Sequence, residues 1–161
     1  MENYMRLEIA ALGENESFSR NAVAAFALCA NPTLAELSDI KTAVSEAVTN
    51  CIVHAYKDEV GKIAIECRVE TRDCGGILHI TVEDSGEGIE DVERALLPFY
   101  TSLDGDERSG MGFTIMQTFM DGFSLESEKG KGTKVTMFRR IGGMTSEVHL
   151  QESAAKERID A

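Results

Sequence analysis

An α/β two-layer sandwich, with helices covering one face of a mainly antiparallel sheet, is the fold class this sequence predicts. Two observations carry the expectation. Ile63, Ile65, Cys67 and Val69 alternate with Ala64, Glu66, Arg68 and Glu70, and a second strand from Ile77 to Glu83 returns after the turn Asp73-Cys74-Gly75-Gly76. Leu37, Ile40, Val44, Ala47, Val48, Cys51 and Ile52 recur at three- and four-residue steps, the period of a helix with one buried stripe. Elements in this order do not make a β-α-β series, so a parallel doubly wound sheet is disfavoured. The chain has 161 residues, 43% of them hydrophobic, which is enough for one domain with a true core. That domain is expected to span residues 1–141, with a polar, flexible tail over 142–161.

Met5, Leu7 and Ile9 alternate weakly and fit an edge strand. Asn15 or Ser17 is placed to cap an alanine- and phenylalanine-rich helix that runs to about Ala30. Asn31-Pro32-Thr33 stops that helix and starts the next, with Pro32 or Thr33 at the new N-terminus. The second helix continues to about Tyr56, and a polar turn precedes the strand pair. Ile89 to Leu97 reads as a short helix broken by Pro98, Phe99 to Ser109 as a polar loop, and Gly112 to Met120 as a helix. Phe123 to Glu128 and Thr133 to Arg140 form a last hairpin around Lys129-Gly130-Lys131-Gly132.

Charge and cysteine usage narrow the function classes. A formal net charge of −12 disfavours direct nucleic-acid binding, which calls for a basic surface, and suits a basic protein partner. Cys29, Cys51, Cys67 and Cys74 form no C-x-x-C pair and read as reduced core thiols of a cytoplasmic protein. His54, His79 and His149 make no zinc-protease pattern. No signal peptide or run of membrane-spanning length is visible.

Three constellations carry chemistry. Glu46, Asn50 and His54 are each four residues apart and stack along one edge of the second helix. An amide oxygen there can take a hard cation, and the carboxylate can accept a proton; the same residues also fit an amphipathic helix with a polar shoulder. Asp84-Ser85-Gly86-Glu87-Gly88 puts an acid at a strand end before two glycines, where a ligand approaches closely and Asp84 can accept from an exocyclic amine such as that of adenine. Arg108-Ser109-Gly110-Met111-Gly112 leads into a helix N-terminus, an anion site suited to phosphates with a forked cation beside it. The P-loop pattern, the complete G-x-G-x-x-G and the H-R-D and D-F-G kinase signatures are all missing. Arg20, the one basic residue of the first helix, reads as a solvated side chain and is the candidate for partner docking.

Taken in order, these pieces resemble the ATP-binding domain shared by gyrase, heat-shock chaperone, histidine kinase and mismatch-repair proteins (the GHKL or Bergerat-type fold). Glu46-x-x-x-Asn50, Asp84-x-Gly86-x-Gly88, Gly110-x-Gly112 and Gly132-Thr133 match its four boxes. Within it, Ser45 to Asn50, Pro98 to Ser102 and Glu107 to Met116 look like the small bacterial anti-sigma-factor serine kinases, the sporulation branch first and the general-stress branch second. The resemblance implies a mixed sheet backed by helices, with ATP between the two layers. It implies Mg²⁺ held by Asn50 and the phosphates, Asp84 reading the adenine amine, and Gly88 and Thr133 near the base. Gly110, Met111 and Gly112 would wrap the phosphates, Arg108 would meet the γ-phosphate, and a lid containing Thr101 and Ser109 would close over them. His54 and Gly86 belong to the same nucleotide set, and Glu46 would be the general base. The family further implies a homodimer that sequesters an RNA polymerase sigma factor and phosphorylates an anti-anti-sigma partner on serine. A nucleotide-gated binding module without kinase activity and a histidine-kinase catalytic fragment are the competing readings. The tail after Ile141 lies outside the matching region, and the lid acids Asp104, Asp106 and Glu107 run against a phosphate-binding role.

Overall fold

The computed structural model describes residues 2–57, 59–72, 75–98 and 110–142. Five strands, β1 (Glu2–Ala10), β2 (Lys62–Arg72), β3 (Gly75–Asp84), β4 (Gly122–Glu128) and β5 (Gly132–Ile141), form one sheet in the order β1-β2-β3-β5-β4. Every neighbouring pair is antiparallel, so the parallel component allowed by a mixed sheet does not occur in this sheet. The β2–β3 register sets Ile63 opposite Asp84 and Ile65 opposite Val82. Alternation therefore brings Ile63, Ile65, Cys67 and Val69 of β2 and Leu78, Ile80 and Val82 of β3 to one buried face. Each aliphatic side chain so covered contributes about 1.5–3 kcal/mol.

Two long helices cover that face. α1 (Glu14–Ala27) lies against α2 (Leu34–Asn50), and both send their buried stripes into the core: Val23 and Ala27 from α1, and Ile40, Val44, Ala47 and Val48 from α2. Thr33 fixes where α2 begins through a capping box. Its hydroxyl accepts from the Glu36 N–H at 3.2 Å, and the Glu36 carboxylate accepts from the Thr33 N–H at 2.7 Å. Arg139 of β5 points towards the helices and pairs with Asp39 of α2 at 3.0 Å, tying the two layers together. A short α3 (Val92–Ala95) begins at Asp91, whose carboxylate accepts from the Arg94 N–H, and α4 (Gly112–Phe119) packs on α2 through buried Met116.

Three local expectations are corrected. Neither Asn15 nor Ser17 caps α1; Gly13 occupies the cap, and Asn15 instead donates to the Ala10 carbonyl at 2.9 Å, binding the helix start to the end of β1. α1 stops at Ala27, because the chain tightens into a 3₁₀ turn over Leu28–Ala30 before Asn31 takes a left-handed conformation at φ 60°. Cys29 is exposed rather than a core thiol, whereas Cys51 and Cys67 are buried. Cys74 lies outside the described residues, as do the lid and the tail. No helix among the described residues is long and apolar enough to cross a membrane.

Candidate active site

A cavity of about 1280 Å³ opens between α2, α4 and the ends of β3 and β5. Its lining includes Glu46, Asn50, His54, Asp84, Gly88, Gly110, Met111, Gly112 and Thr133, so four segments far apart in sequence meet at one place. Arg108, Thr101 and Ser109 lie outside the described residues.

α2 does not stay regular as it passes the cavity. After Asn50 it widens into a π turn over Cys51–Ala55, whose bonds reach one residue further than those of an α-helix. His54 is therefore not stacked strictly over Asn50, yet it still borders the cavity. The π turn also ends where the Asp84 loop arrives: Glu87 N–H donates to the Ala55 carbonyl at 2.8 Å. Gly86 is required for this approach, since a Cβ there would lie 2.1 Å from that same oxygen.

Asp84 closes β3 and is only 6% exposed. Burial pushes its carboxyl above the usual aspartate range, opposed by hydrogen bonds from the Gly86 N–H, the Cys51 thiol and the Thr133 N–H. The Gly86 bond to Oδ1 is 2.9 Å long. Burial and the neighbouring Asp84 in turn hold Cys51 firmly as the thiol. Behind Thr133, Ser127 on β4 makes a small network: its hydroxyl donates to the Gly132 carbonyl at 2.8 Å, accepts from the Ile89 N–H at 2.8 Å and meets the Thr133 hydroxyl at 2.9 Å. Neither Cys51 nor Ser127 stands out in sequence. The only available signal for Ser127 is its register opposite Thr133 across the Lys129–Gly132 turn.

The opposite end of the cavity is made by helices. The N-terminus of α4 lies directly above α2, so close that a Cβ on Gly112 would be 3.1 Å from Glu46 Oε2 and 3.2 Å from Asn50 Nδ2. The first-turn N–H groups of α4 lack intrahelical partners and carry the positive end of the helix dipole to this point. Glu46 is partly buried; desolvation, and then the negative charge of Glu16 on α1, raise its carboxyl above the ordinary glutamate value. Arg20 is not simply solvated, because its guanidinium pairs with Glu16 at 3.1 Å beside Glu46.

The cavity thus offers a buried acceptor for an amine at one end. At the other end it offers N–H donors, an amide oxygen and a basic carboxylate. An adenine nucleotide with its phosphates towards α4 fits this polarity. For a metal, the described residues contain no cluster of three or more His, Cys, Asp or Glu side chains. The hard donor here is the Asn50 amide, which fits a Mg²⁺ that takes its remaining ligands from phosphate and water.

Residues 9–139 match the family described as histidine kinase-like ATPase domain. The anti-sigma F factor of Clostridium perfringens strain SM101 is 52% identical over 141 residues, covering 88% of this chain and 99% of that protein. The anti-sigma F factor of Thermoanaerobacter sp. strain X514 is 51% identical over 140 residues, covering 87% and 95% respectively. A crystal structure of the RsbU and RsbW domains of a Mycobacterium tuberculosis protein superimposes with a TM-score of 0.62 over 89% of this chain and 34% of that one; at 16% identity it bears on the fold alone. With the four boxes gathered in one fold and relatives matched over nearly their whole length, the chain belongs to the histidine kinase-like ATPase domain family, within the group of anti-sigma F factors.

Proposed function

We propose that this chain is an ATP-dependent serine protein kinase and anti-sigma factor. It binds and inhibits a sporulation RNA polymerase sigma factor of the sigma-F type, and it phosphorylates an anti-anti-sigma antagonist on serine. It works in the cytoplasm as a homodimer. The anti-sigma half of the reading rests on the names of its relatives. The kinase half rests on one observation: Glu46 Oε2 and the Asn50 amide lie together against the N-terminus of α4, in the cavity that buried Asp84 also lines.

Phosphoryl transfer asks mainly for positioning and charge neutralisation. Asp84 accepts from the adenine amine and sets the depth of the nucleotide. The α4 N–H groups receive phosphate oxygens. Asn50 would hold Mg²⁺, which would supply neutralisation of phosphate charge. Glu46 accepts the proton of the serine hydroxyl as the serine oxygen bonds to the γ-phosphorus and the β–γ bridging bond breaks, releasing ADP. A carboxyl raised by burial is a stronger base for that step than an exposed glutamate. Arg108 completes the set by meeting the γ-phosphate. A nucleotide-gated binding module would need Asn50 and the glycines but not Glu46, so the placement of Glu46 favours chemistry.

The test is incubation with γ-labelled ATP, Mg²⁺ and a candidate anti-anti-sigma protein, with a bound sigma factor followed in parallel. Label on a partner serine, reduced about 10²–10⁴-fold in Glu46→Gln while ATP affinity is kept, is the expected result. Nucleotide-dependent sigma capture without label would overturn the kinase half and leave the binding module.

A further inference from the structure

Glu46 borders both the large cavity just described and a recess of about 470 Å³ between α1 and α2. The recess is lined by Arg20 of α1 and by Lys41 and Ser45 of α2, among others. A chain of contacts crosses it. Arg20 Nη1 donates to both Glu16 carboxylate oxygens, at 3.1 and 3.2 Å, and the Ser45 hydroxyl donates to the same Oε1. Ser45 immediately precedes Glu46, so a carboxylate on α1 grips the turn of α2 that carries the base.

The contact is not needed to hold the helices together, which meet through Val23, Ala27, Ile40 and Val44 in the core. A partly exposed ion pair four residues apart on a helix is worth only about 0.3–0.5 kcal/mol. Yet Glu16, 20% exposed against 37% for Arg20, is drawn in from solvent and given two donors. A group so placed does more for geometry than for stability.

Resting on the kinase reading above, we propose that Glu16 is a positioning residue for phosphoryl transfer: it ties Arg20 of α1 to Ser45 on the turn of α2 bearing Glu46.

The experiment is steady-state phosphorylation of the anti-anti-sigma acceptor by the full chain. The variants are Glu16→Ala, Glu16→Gln, Ser45→Ala and the double Glu16→Ala/Ser45→Ala, with nucleotide affinity measured separately using a fluorescent ATP analogue. Glu16→Ala and Ser45→Ala each lower kcat about tenfold with nucleotide affinity unchanged, and the double variant is no worse than either single one. Glu16→Gln, whose amide oxygen still accepts from Ser45, keeps most of kcat. The proposal is overturned if kcat stays within about twofold of wild type in both alanine variants, or if their effects multiply. It is equally overturned if Gln falls as far as Ala, or if the loss lies in KM for the acceptor alone, which would make Glu16 a direct contact. Should Glu16→Ala fail to fold, Ser45→Ala and Glu16→Gln decide by the same criteria. Absence of label with the wild type overturns the kinase reading and this inference with it; label with insensitive variants overturns this inference alone.

Discussion

The two ends of the large cavity are built on different principles. At the Asp84 end, strand ends and their loops supply most of the groups, joined by Cys51 and Ala55 of the π turn. The carboxylate is almost fully buried, its partners are largely backbone N–H groups, and Ser127 and Gly86 lock the loop from behind. At the Glu46 end, side chains of two helices meet; Glu46 and Asn50 are only partly buried, and their neighbours are other side chains and a helix terminus. One end is suited to recognising a fixed object, and the other to charges that change during a reaction. A recognition group gains from rigidity, whereas a proton acceptor must remain able to exchange its proton.

This contrast can be broken or sharpened by substitution. The largest stability effect is expected from Gly86→Ala, which drives a Cβ to 2.1 Å from the Ala55 carbonyl. Chemical denaturation should show a loss of about 2–4 kcal/mol, since backbone and not a flexible side chain must yield. An unchanged midpoint would mean the Asp84 end is less rigid than argued. Next comes Asp84→Asn, which replaces a charged acceptor. ATP affinity should fall by about 1.5–3 kcal/mol, roughly 10- to 100-fold, with discrimination between adenine and guanine nucleotides lost, as read by calorimetric titration. Retained discrimination would move base recognition elsewhere.

A third effect is smaller and depends on pH. The amine-accepting form of Asp84 is the carboxylate, and burial raises its pKa. Nucleotide affinity should therefore be full above that raised value and decline, as pH falls, sooner than an ordinary aspartate would allow. Asp84→Asn should flatten this acid limb in a pH series of titrations. The same shift acts oppositely on the nucleotide-free fold, where the carboxylate costs stability at neutral pH and the cost fades on acidification. The smallest effect lies remote from both ends: Thr33→Ala removes the capping box of α2 and should cost about 1 kcal/mol in thermal unfolding. Transfer chemistry should be little changed if α2 is held mainly by its core stripe.

Much of this was legible in the residues. The strand pair 62–84 and the α2 stripe followed from period alone, because both elements bury one face, and a one-sided burial leaves a clean pattern. Glu46, Asn50, Asp84 and the Gly110-Met111-Gly112 turn could be nominated because each motif is contiguous. Their convergence could not be seen from local pattern, since it depends on α4 folding back over α2. The π turn was hidden for a similar reason: Cys51–Ala55 carries ordinary helix-compatible residues, and the extra residue is imposed by docking of the Asp84 loop on Ala55. Glu16 was silent because its role comes from helix–helix packing, which leaves no spacing signature, and Ser127 is signalled only by its register opposite Thr133.

Glu46 as a shared wall between two recesses has a pharmacological corollary. A small molecule seated in the nucleotide chamber meets the same carboxylate that walls the α1–α2 recess. In the recess it would meet Arg20, Lys41 and Leu34, none of which lines the nucleotide side.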